Sequence, residues 1–289
     1  MNKILDKLKT MKVTRVIEAS LSGVISTGSF QNYRPGYKDQ IIIEDCTLTE
    51  EEIDRLKDHL DNNNSRKFQE AERKATIERI RREKLNIRIY MHPVSKVVVP
   101  SVTSVRDWDI DMFIDEVSLA QYASQSQIVH AKVNHYIAAG KWVKADQISE
   151  IWPDIVIVTQ GHLKLEIDTG DFPGFLEKYP IDNMSVGTPV FLKDSAGTPD
   201  FIGVPKGWEE AREVPTVFDV KRTPDKVKDG IQIAAYCKAK GIEQGIVVPI
   251  NNKTAQGWSK PVVYNKASLE GYYKIYEKKR EDFRKRFGL

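Results

Sequence analysis

The stretch Thr216-Val217-Phe218-Asp219-Val220-Lys221-Arg222-Thr223 decides how this chain is read. It is short, apolar, and rich in β-branched and aromatic residues, which is the composition of a buried strand. Side chains alternate along a strand, so Asp219 and Lys221 share one face and Val220 points to the other. Exposed, such an acid and base would be an ordinary salt bridge. Buried, they are costly unless they pair or hold an ion.

Upstream lies Gly197-Thr198-Pro199-Asp200-Phe201-Ile202-Gly203-Val204, in which an acid opens a second apolar strand. If the two strands are neighbours, Asp200 and Asp219 bring two carboxylates together beside Lys221. Like charges so placed repel, and a divalent cation relieves the repulsion. Magnesium takes one or two carboxylates and fills its remaining positions with water and phosphate oxygens. Such a site has the parts to hydrolyse a phosphodiester. The metal polarises the phosphoryl oxygen and activates water, and the lysine steadies the developing charge. Downstream, Gln232 and Tyr236 are four apart and so share one face of a helix predicted over 226–240. Alone, that pair would read as a partly buried tyrosine with a polar neighbour.

Around this centre the pattern predicts strands near 155–166, 189–193, 200–204 and 245–250, and helices over 108–123, 125–139 and 267–287. Gly241 ends the helix over 226–240. Strands alternating with helices make an α/β domain. The stretch between Glu166 and Val190 is rich in Gly, Pro and Asp and reads as an inserted loop or hairpin. Short strands at 87–90 and 97–99 precede the helices.

Residues 1–85 read as a separate small α+β module. A strand over Val13–Val24 is followed by a turn-rich stretch, Ser26–Gly36, and a second strand at 40–43. The capping box Thr49–Glu52 starts a helix through Leu60. Asn62-Asn63-Asn64 is expected to break it, with another helix over Ser65–Leu85. Residues 66–88 carry nine Lys/Arg against four Glu. Such a cluster binds phosphate backbones or forms a solvated face.

Several chemistries are excluded. Cys46 and Cys237 cannot build a disulfide framework, a zinc ribbon or an iron–sulfur site, and read as small buried residues. There is no Gly-x-x-x-x-Gly-Lys loop and no Gly-x-Ser-x-Gly elbow. His130 and His135 lack the spacing of a zinc helix. No apolar run is long enough for a membrane span or a secretory signal, so the expectation is a cytoplasmic protein without a membrane partner.

Taken in order, Gly197-x-x-Asp200, Asp219-x-Lys221 and Gln232-x-x-x-Tyr236 resemble the RecB-like exonuclease branch of the PD-(D/E)XK nuclease superfamily. Pro100-Ser101-Val102-Thr103 resembles the segment that precedes that branch's first helices. His130 falls where the branch places a metal-binding histidine. The resemblance covers about residues 86–250. It implies a restriction-endonuclease-like core, a mixed central sheet flanked by helices, within 86–289, and a deoxyribonuclease dependent on Mg2+ or Mn2+. Asp200 and Asp219 would ligate the metal, together with His130 and the backbone carbonyl of Val220. Lys221 would be the catalytic lysine. Gln232 and Tyr236 would position DNA or the active-site strands, and Ser101 and Thr103 would contact phosphate.

The chain departs from the pattern at Ser126, where the branch has a glycine four residues before its histidine. For the glutamate of the first core strand, Glu166 is the nearest counterpart. The resemblance further implies an exonuclease acting on DNA ends or single strands. It would work alone or beside a separate replication, recombination or repair protein, and a viral origin is open. Two rivals remain: a nucleic-acid-binding protein that keeps the fold without turnover, and a sequence-specific endonuclease of the same superfamily.

Overall fold

The computed structural model describes residues 15–22, 25–28, 31–33, 36–43, 50–82, 87–94, 96–109, 116–144, 147–152, 170–251 and 254–288. The chain divides into two compact units, residues 1–87 with 91–98 and residues 88–90 with 99–289.

The first unit holds strands β1 (Arg15–Ser22), β2 (Ile25–Gly28), β3 (Gln31–Tyr33) and β4 (Gly36–Ile43), then helix α1 (Glu50–Arg82). β1 and β4 pair antiparallel from Arg15↔Ile43 to Ser22↔Gly36, and β2 pairs with β3. The turn-rich reading of 26–36 is thus corrected to a hairpin. The predicted break at Asn62–Asn64 is also corrected, because α1 is continuous over 33 residues. Leu56, Leu60 and Asn64 recur at a spacing of four and are all buried, so one face carries the asparagine inward. Asn63 Oδ1 accepts a hydrogen bond from Arg66, 2.8 Å away. Glu50–Glu52 open the helix and Arg81–Arg82 close it, which suits its dipole.

Strands β5 (Ile89–Met91) and β6 (Val98–Pro100) fall at the boundary. The second unit continues with helices α2 (Val102–Asp107), α3 (Glu116–Ala139), α4 (Ile148–Ile151) and α5 (Phe172–Lys178). Strands β7 (Ile181–Val186), β8 (Val190–Leu192), β9 (Ser195–Gly197), β10 (Phe201–Pro205) and β11 (Thr216–Lys221) follow. Helix α6 (Lys226–Lys240), strands β12 (Gly245–Pro249) and β13 (Val262–Tyr264), and helix α7 (Lys266–Phe287) complete it. Among the described residues its central sheet has five strands in the order β13-β12-β11-β10-β7. β11 and β12 are parallel and joined by α6, while the other pairs are antiparallel. This is an α/β architecture with a mixed sheet flanked by helices.

Two expectations differ here. The stretch read as an inserted loop or hairpin contains α5 and β7, the latter at the end of the main sheet among the described residues. Asp171 caps α5 by accepting from Gly174 N at 3.0 Å. In β7, Asp182, Asn183 and Ser185 are exposed, so it carries no apolar alternation. The two helices predicted over 108–123 and 125–139 are instead one helix, α3, unbroken over Glu116–Ala139, and the short α2 precedes it. The strand expected over 155–166, with Glu166, lies outside the described residues.

The core explains why β11 sits centrally. Phe201 and Phe218 face each other across the β10–β11 ladder and stack at 4.6 Å and 5°. On that face Phe218, Val220, Ile246 and Val248 pack with Phe172 and Phe175 of α5 and with Val129 and Val133 of α3. The opposite face meets α6, where Gly245 lies so close to Ile233 and Cys237 that a Cβ would approach them within 3.2 Å. Covered on both sides, β11 is buried along nearly its whole length. α6 starts at Asp225, which accepts from Val227 N and Lys228 N at 3.0 Å each. It ends at Gly241, whose φ of 69° suits glycine. No helix among the described residues is long and apolar enough to cross a membrane.

Candidate active site

The β10–β11 register starts at Phe201↔Phe218. Asp200 and Asp219 each lie one residue further along, across the ladder from one another. Asp200 N donates to Phe218 O at 3.2 Å, one residue out of that register, which keeps the two segments together at this position. The two acids read from separate motifs are therefore neighbours, a placement that is unfavourable for like charges left without a counter-ion.

Each carboxylate is differently held. Asp200 Oδ2 accepts from Val220 N at 2.5 Å, and Oδ1 lies 2.6 Å from His130 Nδ1 on α3. Burial opposes the charge on Asp200, but His130, Lys221 and the Val220 amide outweigh it and hold the carboxyl below its ordinary value. An ionised carboxylate only accepts, so His130 Nδ1 carries the proton of that bond. Asp219 is 3% exposed, and Gln232 Nε2 lies 3.3 Å from its Oδ1. Burial pushes the Asp219 carboxyl above its ordinary value; Lys221 opposes the shift and the charge of Asp200 adds to it. Lys221 Nζ lies 2.6 Å from Asp219 Oδ2, a close ion pair within the buried site. Burial disfavours the ammonium, but Asp219 and Asp200 together raise its pKa.

Behind the carboxylates, α6 turns one face to the site. Gln232 Nε2 lies 3.0 Å from Tyr236 OH, and both side chains are buried. Burial and the nearby carboxylates drive the Tyr236 phenol well above its ordinary value, so it stays neutral. The motif glycine also has a steric cause. A Cβ on Gly197 would sit 2.4 Å from Tyr236 Cε1. Gly197→Ala is therefore expected to cost about 1–3 kcal/mol by overpacking. Urea denaturation checks this, and an unchanged midpoint would mean that the ring moves aside freely.

Two residues here were missed by the sequence reading. Asp229 lies one turn before Gln232 on the same face of α6 and is 4% exposed, a spacing that could have flagged it. Burial raises its pKa against the opposing charge of Lys221. Arg106 of α2 donates from Nη1 to Gln232 Oε1 at 2.6 Å. No sequence spacing links those two residues. Ser101 is buried and caps α2: its Oγ accepts from Ser104 N at 2.9 Å and lies 2.9 Å from Thr103 Oγ1.

No protein-family model matches the sequence, and no curated protein matches it. Among solved structures the chain is similar to an alkaline exonuclease (LHK-Exo) from Laribacter hongkongensis. That similarity has 10% identity and a TM-score of 0.25, over 64% of this chain and 91% of the other. It is also similar to SSO0001, at 12% identity and a TM-score of 0.20, over 61% of this chain and 83% of the other.

The geometry of the site suits a hard divalent cation. Among the described residues no three His, Cys, Asp or Glu side chains form a ready coordination cluster. Magnesium does not need one, since two carboxylates with water and phosphate oxygens suffice. Asp200 and Asp219, with Lys221 Nζ 2.6 Å from Asp219 Oδ2, supply such a pair.

The His130–Asp200 contact sets a pH dependence in the metal-free protein. Burial lowers the affinity of His130 for a proton, but Asp200 outweighs it and raises the pKa above the ordinary 6.5. A raised folded pKa means the contribution is complete below the unfolded value and is lost as pH rises through the folded one. The metal-free chain is thus expected to lose stability as pH rises above the ordinary 6.5 and through the raised folded value, and His130→Gln to lose part of that dependence. Urea melts across a pH series measure it; an identical pH dependence in wild type and variant would contradict the pairing.

Proposed function

We propose that the chain is a deoxyribonuclease of the PD-(D/E)XK kind, in its RecB-like branch, which hydrolyses DNA with Mg2+ or Mn2+ from ends or single strands. The observation that carries this reading is the opposition of Asp200 and Asp219 on adjacent strands with Lys221 Nζ 2.6 Å from Asp219. Asp200 and Asp219 would hold the metal, with His130 and the Val220 carbonyl as further ligands by resemblance. When bound, the metal would polarise the phosphoryl oxygen and supply a hydroxide-like nucleophile near neutral pH.

The chain's own groups do the rest. Lys221, kept protonated by its acidic neighbours, places a positive charge where charge develops on the phosphoryl group. Gln232 and Tyr236 are buried behind Asp219, and in this reading they fix the active-site strands. Ser101 and Thr103 are proposed to meet phosphate at the start of α2, and the basic half of α1 to meet the strand's backbone. Incubation with end-labelled linear and circular single-stranded DNA, with Mg2+ or Mn2+, tests the proposal. Release of terminal nucleotides with circles left intact is the expected result. Cut circles would make it an endonuclease, and uncut DNA with either metal would leave only a binding protein.

A further inference from the structure

Gln232 points both of its functions at defined partners. Its Nε2 lies 3.3 Å from Asp219 Oδ1 and 3.0 Å from Tyr236 OH. A side-chain amide occupies nearly the same volume when turned over, with oxygen and nitrogen exchanged. Turned over, its oxygen would confront the Asp219 carboxylate, acceptor against acceptor. The acids therefore need something that fixes the sense of this amide.

Arg106 has the required chemistry. Its guanidinium carries only donors, and Nη1 donates to Gln232 Oε1 at 2.6 Å. The guanidinium is itself fixed. Nε and Nη2 fork onto the Asp107 carboxylate at 2.8 and 2.5 Å, and Nη1 lies 3.9 Å from Asp229 Oδ1. The side chain is 12% exposed. Its charge therefore stands in a nearly closed pocket, where a hydrogen bond to an ionised group is strong. The backbone that carries it is secured one turn earlier by the Ser101 cap.

We propose that Arg106 is a positioning residue that locks the Gln232 amide by its oxygen and thereby orients the Asp219 carboxylate for its cation. The consequence for catalysis rests on the nuclease reading above, whereas the locking of the amide does not. Metal ligands elsewhere depend on such outer partners, whose loss costs about 10–100-fold in metal affinity or activity.

The test uses the full chain as wild type, Arg106→Lys, Arg106→Met, Gln232→Ala and the Arg106→Met/Gln232→Ala double variant. Manganese affinity is titrated calorimetrically, turnover and KM are measured on single-stranded DNA, and the Gln232 side-chain amide is followed by NMR hydrogen exchange. Arg106→Met is expected to weaken Mn2+ binding and to lower kcat, each by about 10–100-fold, with KM for DNA little changed. Arg106→Lys, which keeps a donor, should recover most of both. In the Gln232→Ala background the Arg106 change should add almost nothing, because the two act through one path. Unaltered Mn2+ binding in folded Arg106→Met, or losses that simply multiply in the double variant, would overturn the proposal. Should Arg106→Met not fold, Arg106→Ala, which also removes the donor, carries the same comparison alone and with Gln232→Ala. Should wild type neither bind Mn2+ nor cut DNA, the nuclease reading fails and the amide decides. Exchange of Gln232 Nε2–H that is slow in wild type and fast in Arg106→Met supports the lock, and equal exchange refutes it.

Discussion

Asp219→Asn is expected to lower DNA cleavage by more than about 100-fold, beyond the usual loss for residues that only support a metal ligand. The substitution preserves volume and removes one charge. That charge faces Lys221 Nζ at 2.6 Å and stands across the ladder from Asp200. In the proposed reaction it is needed to hold the cation, and Lys221 cannot stand in because it is itself positive. The fold should survive. Burial already presses the Asp219 carboxyl toward its neutral form, and the charge of Asp200 adds to that pressure. An uncharged side chain relieves both while leaving Lys221 near Asp200 and Asp229. Initial rates on end-labelled single strands, with circular dichroism to confirm folding, check this. A folded Asp219→Asn chain that cuts at the wild-type rate would remove Asp219 from the chemistry.

Phe218→Ala is expected to have the largest effect on stability. Its ring is fully buried, stacks on Phe201 at 4.6 Å and meets Trp208 edge-on at 6.3 Å. It sits in the middle of the central strand, where both layers of helices prevent the sheet from collapsing into a void. A buried Phe→Ala change costs about 3–5 kcal/mol, a large part of the roughly 5–15 kcal/mol that holds a typical domain together. Equilibrium urea unfolding measures the loss. A value below about 1 kcal/mol would mean that the two stacked rings are not the centre of this core.

What could be read in the sequence depended on how local its cause was. β11 and α6 are announced by an apolar run and by Gly241 at the end of the helix. The alternation of Asp219, Val220 and Lys221 follows from strand geometry and puts the acid and base on one face, where they pair. β7 was not legible because it carries no apolar alternation and its polar residues face solvent. α1 was read as two helices because three asparagines disfavour a helix locally, whereas the burial of Leu56, Leu60 and Asn64 decides the matter non-locally. In the same way Arg106 reaches Gln232 through packing between distant segments, which no spacing announces.

The account rests on Asp200 and Asp219 forming one cation site beside Lys221. Calorimetric titration of Mn2+ into wild type, Asp200→Asn and Asp219→Asn tests this most directly. The expected result is saturable binding by wild type, weakened by more than about 100-fold in each variant. Binding of equal strength in all three proteins, or none in wild type, would contradict it.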